Sequence, residues 1–176
     1  MRNVITLALF AALAGCGSTK PDSQAKADTL DAACQATVTR GKNAGCGKWF
    51  DSAYGYAVFP EVGKAGFIVG GAHGKGQVYE QGGVVGFAAI TQGTVGLQFG
   101  AQSFSEIIFF KDKVAFQAFK EGNYELGAEA TAVAIEKGAS AQADYSGGVA
   151  VFVFGEGGLM AGAAVGGQKF SYEPKS

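Results

Sequence analysis

The chain has 176 residues, among them 29 glycines, 14 phenylalanines and 6 tyrosines, and its formal net charge is −1. That near-balance supplies no global basic field to attract nucleic acid. Glycine stands at about twice its usual share of roughly 7% yet lies inside apolar segments without collagen's period, which excludes a disordered or fibrous chain and leaves one domain with a real core.

The N-terminus reads as an export signal. Arg2 supplies a positive charge and Val4 to Ala14 a short apolar run. A membrane-spanning helix needs about 20 apolar residues, so a run of half that length fits a secretory signal. It ends in Leu13-Ala14-Gly15-Cys16, which resembles the bacterial lipobox: Cys16 is the expected lipid attachment site and first residue of the mature protein. Asp at the following position commonly retains such proteins at the inner membrane. Gly17 therefore points to the outer membrane if the source is Gram-negative. Two or three acyl chains, unlike one, anchor stably.

Residues 1–15 are thus expected to be signal, 16–23 a polar tether, and 24–52 a helical segment. Asp22 to Val38 has helix formers and few breakers, with Asp22 as the expected cap and Gly41 as the closing residue. Lys48 to Ala53 is expected as a second short helix that buries Trp49 and Phe50. With Cys16 taken by lipid, Cys34 and Cys46 suggest one disulfide in an oxidising compartment, two free thiols being the other reading. There is no CxxC and one His, so no metal or cofactor is implied.

From Tyr56 the period changes to that of strands. Candidates are Tyr56 to Phe59, stopped by Pro60, then Gly66 to His73, Gly82 to Ile90, Thr94 to Ala101 and Ser105 to Phe110. Lys113 to Glu121 reads as a helix. Leu126 to Ile135, Ala139 to Tyr145, Val149 to Phe154, Leu159 to Val165 and Lys169 to Tyr172 follow as strands. Glycine weakens strand interiors unless a bend or a close backbone approach requires it. The fold class expected is mostly β with a few short helices: a strongly curved, glycine-rich antiparallel sheet forming a partly closed barrel, over 53–172, with a tail at 173–176.

Several segments combine into a family resemblance. Ala57-Val58-Phe59-Pro60 is followed by Lys64 to Gly76, then Gly93 to Gln102 leading into Glu106-Ile107-Ile108-Phe109-Phe110, and finally Gly157-Gly158-Leu159-Met160-Ala161-Gly162. This ordered set resembles the SYLF domain, or Ysc84 family. The resemblance implies lipid binding and no catalysis. Eukaryotic members bind phosphoinositides and actin; actin is not expected beyond a bacterial membrane unless a host cell is involved. The Ala-rich helix before Trp49 departs from the amphipathic segment that binds lipid in those members, so phosphoinositide selectivity does not carry over.

The candidate headgroup site is Lys64 to Lys75. Gly70, Gly71 and Gly74 would let backbone amides approach a phosphate, with Lys64, His73 and Lys75 supplying charge. A glycine-rich bend between strands is the bland alternative. The segment is no P-loop, since Gly76 follows Gly74-Lys75, and no GxSxG surrounds a serine that His73 would activate. The reading is a non-enzymatic, membrane-anchored lipoprotein that recognises anionic phospholipid. The alternative is an envelope structural or adhesion lipoprotein. Glu106, entering an apolar strand, is expected either at the exposed strand start or paired inside.

Overall fold

The computed structural model describes residues 18–65, 69–95, 103–122, 124–127, 132–133, 145–160 and 165–175. Cys16 and the expected signal lie outside them, as do Gly66 to Ile68, 96–102, all of 139–144 and most of the strand expected over 126–135.

Helix α1 (Gln24–Gly41) starts at Ser23, whose hydroxyl accepts from the Lys26 amide at 3.4 Å. Asp22, the expected cap, instead pairs with the Lys26 ammonium at 2.7 Å. Gly41 does not end the helix: its φ is −60° and the chain continues through a wide turn, Lys42–Cys46. The break comes at Gly45, whose φ of 102° lies where a side chain is disfavoured, and helix α2 (Gly47–Ser52) follows.

The strands are β1 (Gly55–Ala65), β2 (Val69–Glu80), β3 (Gly83–Val95), β4 (Ser103–Phe110), β5 (Tyr124–Glu125), β6 (Val149–Gly155), β7 (Gly158–Leu159) and β8 (Gln168–Pro174), with helix α3 (Lys113–Lys120) after β4. They form one antiparallel sheet in the order β5-β8-β3-β2-β1-β4-β6-β7. The expected mostly-β class and curved sheet are present, as a strongly curled half-barrel. The curl is legible in contacts between strands that are far apart in that order. Phe59 of β1 meets Phe170 of β8 with ring centroids 5.7 Å apart, and Gln168 of β8 donates to the Glu106 carboxylate of β4 at 2.9 Å. Glu106 is therefore interior, fully buried and hydrogen-bonded across the concave side.

Pro60 does not stop β1. Between Val58 and Glu61 the strand advances three residues while β2 advances two, from Gln77 to Lys75. The β1–β4 ladder skips one residue at the same place. Pro60 thus sits in a bulge, the position where a central strand tolerates a residue without an amide donor. Opposite the bulge the strands close up. A Cβ on Gly76 would lie 2.1 Å from the Val58 carbonyl oxygen, and one on Gly74 2.5 Å from that of Glu61. Glycine is what lets the sheet curl here.

The concave face holds a core of Ala57, Phe59, Ile108, Phe110, Val151 and Phe170, closed by Phe116 and Phe119 of α3. Asp112 caps α3 by accepting from the Ala115 amide at 2.9 Å. The convex face of β1, β4 and β6 is covered by α1 and α2. Trp49 packs on Phe109 and Phe152 at 5.9 and 5.0 Å, and Cys34, Val38 and Cys46 join the same cluster. The helical segment is therefore half of a core and no separate appendage. Phe50 is half-buried there.

The expected disulfide is not formed. Cys34 and Cys46 are buried free thiols, each held by its own helical element against the sheet, with Cys34 donating to the Val58 carbonyl at 3.7 Å. Burial pushes both thiols up to about 12. In the Cys16→Ser protein neither is expected to react with a thiol reagent in the native state at pH 8, and two are expected to titrate after unfolding without reductant; recovery of none on unfolding would mean a disulfide. The Gly76→Ala variant is expected to lose about 1–3 kcal/mol or more in urea unfolding through overpacking. Gly83→Ala, whose Cβ would sit 3.7 Å from its nearest neighbour, is expected to stay within about 0.5 kcal/mol of the parent.

Candidate functional site

Of the stretch proposed as a phosphate cradle, Lys64 lies at the end of β1, residues 66–68 fall outside the described residues, and Gly70 to Lys75 form the first half of β2, which lies between β1 and β3. Gly70 pairs with Thr94, Gly71 with Ala65 and Gly93, and Gly74 with Val62 and Ile90. A strand flanked on both sides commits its amides to ladders, so the backbone does not wrap an anion. Period 2 also divides the cationic set. His73 and Lys75 are exposed on the convex face, alternating with buried Ala72 and Gly74. Lys64 pairs with Ala72, a register position out of step with His73 and Lys75.

The place where Lys75 reaches is more informative. Between α1 and the convex side of β1, β2 and β4 lies an open cleft of about 630 Å³. Leu30, Ala33, Ala36 and Pro60 line it with apolar surface, and Lys26, Arg40 and Lys75 bring three cationic side chains to it. The bulge at Pro60 displaces β1 beneath a helix whose facing side chains are small, so helix and strand do not close on each other. The Ala content that makes α1 weakly amphipathic thus has a structural use, which helix periodicity alone does not reveal.

The cations differ in freedom. Arg40 donates to the Gly155 carbonyl and stacks over the Phe154 ring at 5.6 Å, so it holds α1 to β6. Lys26 is paired with Asp22, and that hydrogen bond, supplemented by Lys75, holds the Asp22 carboxyl below its ordinary range. Lys75 stands opposite Glu61 in the ladder and donates to the Ser18 carbonyl at 2.7 Å. His73 faces Thr91, its Nδ1 at 3.4 Å from the hydroxyl, which is no acid–base relay. Among the described residues no cluster of His, Cys, Asp or Glu is arranged to hold a metal ion.

Sequence reasoning missed a second feature: the expected tether is pinned. Thr19 is 2% exposed. Its amide donates to the Glu173 carboxylate at 2.6 Å and its hydroxyl to the Phe87 carbonyl at 3.4 Å, while the Ser18 hydroxyl donates to Glu173 at 3.1 Å. The Thr19 amide holds the Glu173 carboxyl below its ordinary value of 4.5. A depressed carboxylate stabilises the contact above that value and loses it as pH falls through the folded pKa, so the clasp is intact at neutral pH. Glu173, expected in a tail, belongs to β8. No short-range pattern links residue 19 to residue 173.

Comparison with known proteins agrees with the glycine-rich pattern. Residues 91–175 match the family described as Ysc84, Las17-binding protein actin regulator. The chain is also similar to Beta cell expansion factor A of Aeromonas veronii, 32% identical over 122 residues, which is 69% of this chain and 46% of the relative. The chain thus spans about half the length of the curated relative it matches. The region 91–175 holds the end of β3, all of β4 and α3, and β5 to β8, so both core-forming faces of the half-barrel draw on it. Residues 91–175 thus carry a match to the Ysc84 (SYLF) domain, and the relative extends the similarity over 122 residues.

Proposed function

We propose that the protein is a membrane-anchored, non-enzymatic lipid-binding module that takes an anionic phospholipid at the cleft beneath α1. The single observation behind this reading is the cleft's composition: an apolar floor with ammonium and guanidinium groups at its rim. An amphiphile needs that combination. Apolar walls bury acyl carbon at about 25 cal/mol per Å², and the cations meet a phosphate. The match to a family named for a binding protein supports binding over catalysis. Acylation at Cys16 would hold the module in the envelope, at the outer membrane of a Gram-negative cell. Tethering raises the effective lipid concentration, so modest intrinsic affinity suffices. Actin, the partner in the family description, enters only where a host cell meets the protein.

The test is vesicle flotation of the unacylated Cys16→Ser protein. Binding to phosphatidylglycerol or phosphatidic acid vesicles and not to phosphatidylcholine is expected. Each Lys near an anionic surface contributes about 1 kcal/mol, so Lys26→Ala with Lys75→Ala is expected to weaken binding about fivefold per residue. Absence of binding to any vesicle would overturn the reading and favour an envelope interaction protein.

A further inference from the structure

The clasp at Ser18 and Thr19 has a consequence for how the domain sits on its membrane. The lipid attachment site, Cys16, precedes Ser18 by two residues, and two residues span at most about 7 Å. The headgroup layer of one leaflet is about 5–8 Å deep. A thioether-linked glycerol at Cys16 lies at the base of that layer, so Ser18 emerges at or near its outer boundary. A domain of this length has a radius of gyration of about 16 Å, more than twice the slack available. Were the residues after Cys16 a free tether to residue 23, the domain would tumble. Pinned from Ser18 onward, it does not.

We infer that the anchor and clasp together turn the convex face of β2, β3 and β8 toward the bilayer, making this face the domain's membrane-facing surface. The proposal rests on acylation of Cys16. Ser18 and Thr19 contact all three strands of that face, through Lys75 on β2, the Phe87 carbonyl on β3 and Glu173 on β8. Among the described residues no helix covers the row His73, Thr91 and Lys169, which the register sets side by side across the three strands and which is exposed throughout.

The chemistry suits headgroups rather than acyl chains. Gly71, His73, Thr91, Lys169 and Ser171 are exposed and small, polar or cationic, and, among the described residues, the exposed large hydrophobic ones, Val114 and Met160, are on neither β2, β3 nor β8. Two carboxylates here are engaged, Glu173 by the clasp and Glu125 by Lys169 at 3.7 Å, while Glu61 is the register neighbour of Lys75 in the ladder. The two engaged carboxylates therefore oppose an anionic surface less than free ones would. Lys75 also borders the cleft under α1, so a face lying on the headgroups brings the cleft to the lipid supply.

The experiment uses the mature acylated protein in vesicles containing phosphatidylglycerol and a headgroup-labelled nitroxide lipid. A fluorophore is placed by Thr91→Cys, by Ser171→Cys or, as control on α3, by Val114→Cys. Flotation of each variant verifies anchoring separately from orientation. Quenching at Thr91 and Ser171 several-fold greater than at Val114 is expected, with accessibility to an aqueous quencher reduced in the same order. Adding Glu173→Ala with Lys75→Ala, which removes the clasp's side-chain partners on β8 and β2 without touching Cys16, is expected to keep flotation and erase the difference. Equal quenching at the three positions, or strongest quenching at Val114, in protein that floats would overturn the orientation. Failure of the acylated protein to float would overturn the anchoring on which it rests.

Discussion

Everything in this structure depends on how closely β1 and β2 approach at the bulge. Pro60 needs a place without a ladder partner, and the extra residue in β1 provides it. The carbonyls of Val58 and Glu61 then project toward β2, where only glycine leaves room. Bulges sharpen the local twist of a sheet, and this one interrupts the pairings of β1 with both of its neighbours, β2 and β4. The resulting curl brings β4 and β8 face to face, so that a buried carboxylate on one reaches an amide on the other. It also gives the sheet a convex side broad enough for a helix to cover one half and leave the other open.

That division of the convex side organises the functional surfaces. Over β1, β4 and β6 the helices bury Trp49, Cys34 and Val38 against Phe109 and Phe152. Where α1 passes over the bulge the packing opens into the cleft. Farther along β2, β3 and β8, among the described residues, Ser18 and Thr19 lie on the sheet. Lys75 stands at the boundary and touches both regions. A lipid delivered to the open half of the face is adjacent to the cleft under the covered half.

The sequence was most legible where physics is local. Alternation and turn residues placed β4, β6 and β8 within a few residues, the spacing of Phe116 and Phe119 among lysines placed α3, and the glycine excess implied a curled sheet. Pro60 misled because its cost in a strand vanishes at a bulge, and a bulge is set by the partner strands. Gly70 to Gly74 suggested a headgroup site although Gly66 to His73 also read as a strand: close backbone approach and anion cradles both call for glycine, and only pairing tells them apart. Cys34 and Cys46 were read by compartment, whereas their environment is an apolar core in which both remain thiols. The contact of Thr19 with Glu173 spans almost the whole chain and left no local signature.

The central claim is that the space beneath α1 takes an anionic amphiphile. Its most direct test is an NMR titration of the unacylated protein with a short-chain phosphatidic acid below its micelle concentration. Saturable shifts are expected at Leu30, Ala33, Ala36, Glu61 and Lys75, with little change in α3. Shifts confined to α3 and the loops around Met160, or none at concentrations where anionic vesicles bind, would contradict it.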